Sequence, residues 1–316
     1  MYQTTAVEEQ APAPTPVPTR KLPGWVGAAG GLALRLASNR KGLVGALILL
    51  IFVIAAIFAP MIAPYAPDDN SFLPSAPPDA AHWLGTTALG QDIWSQIVWG
   101  TRQSLLLAVI AGLVTTVLSV IVGVTAAYRG GITDHVLSLI TDIFLVIPQL
   151  PLMIVIAGYA KGGGFWVLIG VIALTGWSFG ARQLRPQAQS LRNREFLESA
   201  RVRGESVPYI IMVEILPTMI SLIVATFLGA ALYAVIAAAG LQFIGLGKAQ
   251  DVSWGSMLFW GENNEALMTG SPLWIIAPGL CIAALGAAFS LLNYAFDEIG
   301  NPALRPVRKV RKKKGA

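Results

Sequence analysis

The sequence predicts an all-α, polytopic membrane protein with six transmembrane helices and both termini in the cytoplasm. Three observations carry this. Only 12% of the 316 residues are charged and 55% are hydrophobic, with a mean hydropathy of +0.64, whereas soluble domains carry about 25% charged residues. Six stretches have the roughly 20 mostly apolar residues that a spanning helix needs. Placing the N-terminus inside puts all 22 Lys and Arg residues on the cytoplasmic side except Arg102, Lys161 and Lys248, the asymmetry that sets orientation in membrane proteins.

The elements follow in order. Residues 1–19 hold four prolines and no apolar core, the composition of a disordered tail rather than a cleaved signal peptide. Residues 22–42 are mildly amphipathic and basic, so they either lie along the membrane surface or form a plain linker. The first span is uncharged from Gly42 to Pro67, its helical part ending near Pro64. The second lies between Arg102 and Arg129. The third runs from about Val136 to Ala160 and carries Asp142, with Pro148 and Pro151 expected to bend it. The fourth lies between Lys161 and Arg182. The fifth runs from about Pro208 to Gly245, too long for one crossing at about 1.5 Å per residue. Gly240, Gly245 and Gly247 are placed to end it and let a short element follow. The sixth is uncharged from Ala266 to Phe296. The chain thus divides into a tail with a possible surface helix (1–38), a first span with an external loop (39–101), a core of five spans (102–300) and a basic tail (301–316).

The external loop from Pro64 to about Thr101 is acidic and rich in Pro and Trp. A second, from about Leu246 to Ser271, carries Asp251, Trp254, Trp260, Glu262 and Glu265. Such loops are either interfacial aromatic belts with solvated acids or docking surfaces. The seven basic residues from Arg305 to Lys314 suit the anionic cytoplasmic face of a lipid bilayer. No aromatic residues interleave with them, which argues against nucleic acid as a partner.

Catalytic chemistry is not indicated. No G-x-x-x-x-G-K-[ST] phosphate loop is present. The two histidines, His82 and His135, lie on opposite sides, so no metal cluster is expected. The single Cys281 sits in an apolar run, where a packed, inert thiol is expected. Asp142 is an intramembrane acid, and such groups are costly and often functional. It lies about two turns from the cytoplasmic end of its span, and its role is structural, gating or substrate contact.

The densest mid-chain charge lies inside, between spans four and five, over residues 183–208. "NREFLESARVRG" from Asn193 to Gly204 has the grammar of a short helix. Asn193 can cap it, Glu195 sits in its first turn, and Arg201 and Arg203 in its last. Phe196, Ala200 and Arg203 share one face. Gly204 can end the helix in the left-handed conformation, and Ser206 with Pro208 can start the next. The helix either meets a protein partner or lies on the bilayer.

"ESARVRGESVPYIIMVEILP", Glu198 to Pro217, resembles the signature of ABC importer permeases: Glu-Ala-Ala, three residues, Gly, nine residues, Ile, one residue, Leu-Pro. Glu198, Ser199, Ala200, Gly204, Leu216 and Pro217 match in spacing. Ser199 replaces an Ala and Glu214 replaces the Ile. "HWLGTTALGQDIWSQIVWGTRQSLLL" (82–107), "AYRGGITDHVLSLITDIFLVIPQLPL" (127–152), "GLQFIGLGKAQDVSWGSML" (240–258) and "PLWIIAPGLCIAALGAAFSLLNYAFDEIGNPALRP" (272–306) resemble further blocks of the same family. Their order and the large first external loop are similar to the C-type permease of dipeptide and oligopeptide importers, from about Asn39 to Pro306. Thr87, Gln91 and Gln96 depart from residues that are usually Asp, Arg and Arg.

The resemblance implies a type I ABC importer permease fold and a non-catalytic subunit that forms half of a substrate pathway. It implies coupling through residues 193–217, with Glu198, Ser199, Ala200 and Gly204 building the contact with a separate ATPase. Pro217 would act as a hinge or a static kink. Asp142, Pro148 and Pro151 are the pathway or gating candidates. The implied partners are a second homologous permease, two ATPase subunits or one two-domain ATPase, and an external substrate-binding protein. ATP and Mg would be bound by the ATPases, with no cofactor in this chain. The implied location is the cytoplasmic (inner) membrane of a prokaryote. Dipeptides or oligopeptides are the leading substrates, with nickel complexes, glutathione or oligosaccharides as alternatives. A secondary transporter driven by an ion gradient is the competing class, and would ordinarily show repeats and paired midplane charges.

Overall fold

The computed structural model describes residues 39–160, 164–248 and 251–300, side chains of 299 and 300 excepted. The two tails and Lys161 lie outside the described residues. Among the described residues every regular element is helical, and the only strand-like pairing is an isolated bridge between Thr86 and Asp92 in the loop before Ile93.

Twelve helical pieces follow one another. They are α1 (Arg40–Ile57), α2 (Ala59–Ile62), α3 (Ile93–Arg129), α4 (Gly131–Val146), α5 (Gln149–Tyr159), α6 (Phe165–Leu191), α7 (Glu195–Val202), α8 (Val207–Tyr209), α9 (Leu216–Thr218), α10 (Ile220–Phe243), α11 (Trp254–Asn263) and α12 (Leu273–Gly300). A π-helical turn, Ile210–Ile215, joins α8 to α9. Five helices (α1, α3, α6, α10 and α12) are long and apolar enough to cross a membrane, and α4 with α5 makes a sixth if that bent pair counts as one span. The protein is therefore a multi-pass membrane protein.

The third span differs from the expected bent helix. It is broken at Ile147–Pro148, and its halves meet at 91°. Pro148 is the N-cap of α5 and Pro151 lies in its first turn. Both are positions a helix start tolerates, because an N–H there has no intrahelical acceptor to lose. The prolines thus begin a second helix instead of kinking one.

The second span also starts earlier than expected, nine residues before Arg102. At 37 residues, α3 is about 55 Å long at 1.5 Å per residue, well beyond a hydrocarbon core of about 30 Å. It forms the axis of the bundle, with α6 and α10 along it. Small residues set the spacing. A methyl group at Gly123 would stand 2.5 Å from the Ala181 carbonyl oxygen of α6, and one at Gly112 would stand 2.9 Å from the Ala231 Cα of α10. Close backbone approach at small residues is how helices associate in lipid, where hydrophobic burial supplies no driving force.

Asp92 starts α3. Its Oδ2 accepts hydrogen bonds from the Ser95 N–H at 2.8 Å and the Ser95 hydroxyl at 2.7 Å, and its Oδ1 lies 3.0 Å from His82 Nδ1. Asp92 is 1% exposed, so this acid caps a helix and fixes the preceding loop together. Thr86 ties the loop further: its hydroxyl donates to the Leu73 carbonyl (2.6 Å) and accepts from the Ala76 N–H (2.8 Å), while its carbonyl accepts from the Ser271 hydroxyl (3.0 Å). Gln91 and Gln96, which depart from the family's charged residues, bond to each other: Gln96 Nε2 donates to Gln91 Oε1 at 2.7 Å.

Replacing Asp92 with alanine removes a cap and leaves buried Ser95 and His82 groups unpaired. Cap loss costs about 1 kcal/mol and each orphaned polar group about 1–3 kcal/mol. We expect Asp92→Ala to lower the thermal denaturation midpoint of the purified protein and expose residues 64–92 to protease, with Asp92→Asn intermediate.

Trp254 corrects the expectation of an interfacial aromatic belt. It is fully buried, and its indole Nε1 donates to the Ile97 carbonyl at 3.2 Å. Trp254 and the equally buried Trp274 belong to the core cluster between α1, α3, α10 and α12. Glu262 and Glu265 are exposed as expected.

Candidate functional site

The loop between α6 and α10 holds the amphipathic helix α7. Arg194, not Asn193, occupies the N-cap, without a side-chain hydrogen bond. Of the residues expected to share one face, only Ala200 is buried. Leu197 and Ala200 are completely buried, whereas Phe196 is 40% exposed and Arg203 is exposed. Leu197 and Ala200 lie three apart, one turn on the same side, and pack in a cluster with Tyr128, Leu191, Ile210 and Ile215. Phe196, Glu198, Ser199 and Val202 are left on the open side.

Gly204 ends α7 as expected. Its φ is +76°, a conformation glycine adopts without the usual Cβ penalty. The Gly204 N–H donates to the Arg201 carbonyl (2.9 Å) and the Glu205 N–H to the Ala200 carbonyl (3.2 Å). These two bonds make a Schellman motif, which satisfies carbonyls that the helix end would otherwise orphan. Ser206 stands at the N-cap of α8 without a side-chain bond, and Pro208 follows in its first turn.

Arginines fix α7 to the bundle. The Arg201 guanidinium lies 5.3 Å from the centroid of the Tyr128 ring at the end of α3, and its Nη2 donates to the Arg192 carbonyl at 2.7 Å. Arg203 stands between Glu205 (3.7 Å) and Glu214 (3.6 Å). Glu214, the carboxylate in an apolar place of the signature, thereby pairs with an arginine of the same loop. Leu216 is half-buried and Pro217 exposed, in the short α9 that follows the π-helical turn. Proline carries no N–H and its ring crowds the carbonyl four residues back. The widened turn before Pro217 and the break at Met219, where α10 begins anew, are the local response.

Asp142 lies on α4, and its Oδ1 accepts from Arg182 Nη1 of α6 at 3.2 Å, both side chains mostly exposed. Asp134, about two turns earlier on α4, makes a bidentate pair with Arg185 at 2.7 and 2.8 Å. These two pairs tie α4 to α6. Bidentate arginine–carboxylate geometry is the stronger form, so Asp134–Arg185 is the firmer of the two. Residues 193–217 form one contiguous assembly, whereas Asp142, Pro148 and Pro151 belong to the α4–α5 segment beside it.

Sequence reasoning did not single out a cavity of about 330 Å³ between α3, α6, α10 and α12, with Gln149 at the head of α5. Asn293 and Asp297, four apart on α12, both line it. That i, i+4 polar pair at the end of an apolar run was the available signal.

The comparisons agree with this architecture. Residues 116–305, more than half of the chain, match the family described as "Binding-protein-dependent transport system inner membrane component". Residues 32–78 match the "N-terminal TM domain of oligopeptide transport permease C". The chain is similar to the oligopeptide transport system permease protein OppC of Mycobacterium tuberculosis (strain ATCC 25618 / H37Rv), 30% identical over 278 residues, which is 87% of this chain and 94% of the relative. OppC of Bacillus subtilis (strain 168) is 30% identical over 276 residues, 86% of this chain and 88% of the relative. The dipeptide transport system permease protein DppC of the same organism is 29% identical over 273 residues, 86% and 84% respectively. With helices long enough to cross a bilayer and the match running through the α7 loop, the chain belongs to the family of binding-protein-dependent transport system inner membrane components, the non-catalytic permease subunits of ABC importers.

Proposed function

We propose that this chain forms half of the translocation pathway of an ATP-driven importer of dipeptides or oligopeptides, and that α7 is the element through which ATP hydrolysis is coupled to it. In this reading the α7 end faces the cytoplasm, where the basic residues accumulate, and the complex sits in the inner membrane. A second, homologous permease completes the pathway. Two ATPase subunits, or one with two domains, bind ATP and Mg and grip α7. An external binding protein delivers the peptide to the opposite end, near α11.

The observation that carries the coupling role is the division of labour on α7. Leu197 and Ala200 are buried in the bundle, while Glu198 and Ser199 are left open on a helix closed by a Schellman turn. A helix anchored on one face and pinned at its end moves as a body, so a push on its open face reaches α3 through Tyr128 and α10 through the π-helical turn. Ala200 serves as anchor in this scheme, and Gly204 as the turn that lets α7 double back.

The test is transport by the assembled complex in proteoliposomes, with its binding protein on the side of α11. Uptake of a labelled oligopeptide that requires ATP on the α7 side is the expected result. Uptake driven by an ion gradient without ATP would exclude the proposal. Mass spectrometry of the ligand that co-purifies with the binding protein decides between peptides and other solutes.

A further inference from the structure

The cavity between α3, α6, α10 and α12 sets a few polar side chains into a mostly apolar wall. Its lining includes Gln149, Gln183, Asn293 and Asp297, with Thr115 and Tyr233. Glycines hold it open. A methyl group at Gly229 would come 3.3 Å from Asn293 Nδ2, and one at Gly176 would come 2.9 Å from the Tyr233 ring. Thr115 is 2% exposed and its hydroxyl has no hydrogen-bond partner. The side chains of Gln183 and Asn293 make no hydrogen bond among the described residues, and that of Gln149 reaches only the Thr175 carbonyl, at 3.4 Å.

An unpaired amide within a span, such as that of Asn293, is expensive against hydrocarbon, at several kcal/mol, whereas exposed Gln183, next to Arg182, and Asp297, just past the apolar run that ends at Phe296, lie where water reaches them. This face is therefore opposed by something polar. Its chemistry is specific in kind: neutral amides that both donate and accept, hydroxyls, and one carboxylate. Each carboxamide offers two donors and one acceptor, which matches the alternating N–H and C=O groups of an extended peptide whatever its side chains. At about 330 Å³, the cavity is at the small end of ligand pockets and fits part of a peptide rather than a whole one.

We propose that this cavity is a contact site for the main chain of the peptide in transit, with Gln149, Gln183 and Asn293 meeting its amide groups and Asp297 its terminal ammonium. The proposal rests on the peptide-importer reading given above.

The experiment uses the complete complex in proteoliposomes, in a Cys281→Ala background that removes the single native cysteine. Cysteines are introduced singly at Gln183, at Asn293 and, as a lipid-facing control, at Ile51, which is 65% exposed on the apolar α1. A hydrophilic maleimide should label the first two at least about tenfold faster than the third, and a transported tripeptide with its binding protein should slow labelling at Asn293 at least about threefold. Gly229→Leu, which fills the cavity, and Asn293→Leu, which keeps its size, should each lower peptide uptake at least about tenfold. Asp297→Asn should abolish any preference for a free over an acetylated N-terminus.

Labelling at Gln183 and Asn293 as slow as at Ile51 would mean a dry seam against the second permease and would overturn the proposal. So would uptake within about twofold of the unsubstituted complex for both cavity variants. Failure of the unsubstituted complex to take up any peptide overturns the importer reading itself. The labelling of Gln183 and Asn293 still decides, in that case, whether the cavity is an aqueous polar site.

Discussion

Substitutions at Gly204 will reduce ATP-driven uptake in the order Asn, Ala, Val, Pro, with proline abolishing it. The order follows from backbone conformation alone. No atom lies within 4 Å of where a Cβ would stand at Gly204, so side-chain size is not resisted by neighbours. The φ of +76° is what selects glycine. A left-handed conformation costs an ordinary L-residue roughly 1–2 kcal/mol, and asparagine less. A β-branched valine is a harder case still. Proline is locked near −65° and lacks the N–H that bonds the Arg201 carbonyl, so it removes half of the Schellman pair and the turn as well. At about 1.4 kcal/mol per factor of ten, alanine should lower the docking equilibrium constant of the helix by roughly tenfold, whereas asparagine should keep uptake within a few-fold. The measurement is uptake in proteoliposomes alongside hydrolysis stimulated by the loaded binding protein. Full coupled transport by Gly204→Pro would show that the turn after α7 does not transmit anything.

The parts of this structure that depend on one segment alone were legible in the sequence, and those that depend on two segments were not. Apolar runs bounded by Arg and Lys located the spans, because a bilayer demands that length of any helix. Gly204 announced the end of α7 because left-handed backbone is a local requirement. Asp92, which caps α3 ahead of its apolar run, was not read from the sequence, because the apolar run that located the span begins only after Arg102. The break at Pro148 was visible as a pair of prolines, but its 91° angle was not. That angle depends on how α4 and α5 each pack on α6, and the pairs that tie α4 there, Asp134–Arg185 and Asp142–Arg182, span 51 and 40 residues of chain. Trp254 read as interfacial because tryptophan commonly is; its partner, the Ile97 carbonyl, lies 157 positions away. The cavity needed α3, α5, α6, α10 and α12 to converge, and only Asn293 and Asp297, one turn apart, carried a hint of it in a single helix. Glu214 was legible as an anomaly, and Arg203 gives it a partner.

Leu197→Ala will detach α7 from the bundle, and Phe196→Ala will not. Both residues are large and apolar and they are adjacent, so the sequence alone does not rank them. An eight-residue helix has only about two turns and no repeated period to decide which face is inner. The structure separates them: Leu197 is fully buried and Phe196 is 40% exposed. Truncating a buried leucine to alanine costs about 2–5 kcal/mol. A helix this short has no independent stability in water, so that loss falls on the docking of α7 rather than on the bundle. Even about 2 kcal/mol is roughly a thirtyfold change in a local opening equilibrium. Amide hydrogen exchange over residues 195–205 should therefore accelerate by at least about tenfold in Leu197→Ala, while exchange in α3 and α6 stays near its unsubstituted rate. Phe196→Ala should leave exchange unchanged in the isolated permease and instead weaken capture of the ATPase subunit, since Phe196 shares the open side with Glu198 and Ser199. If the two variants exchange their behaviour, the anchored and the presented faces of α7 have been assigned the wrong way round, and Ala200 would lose its role as anchor with them.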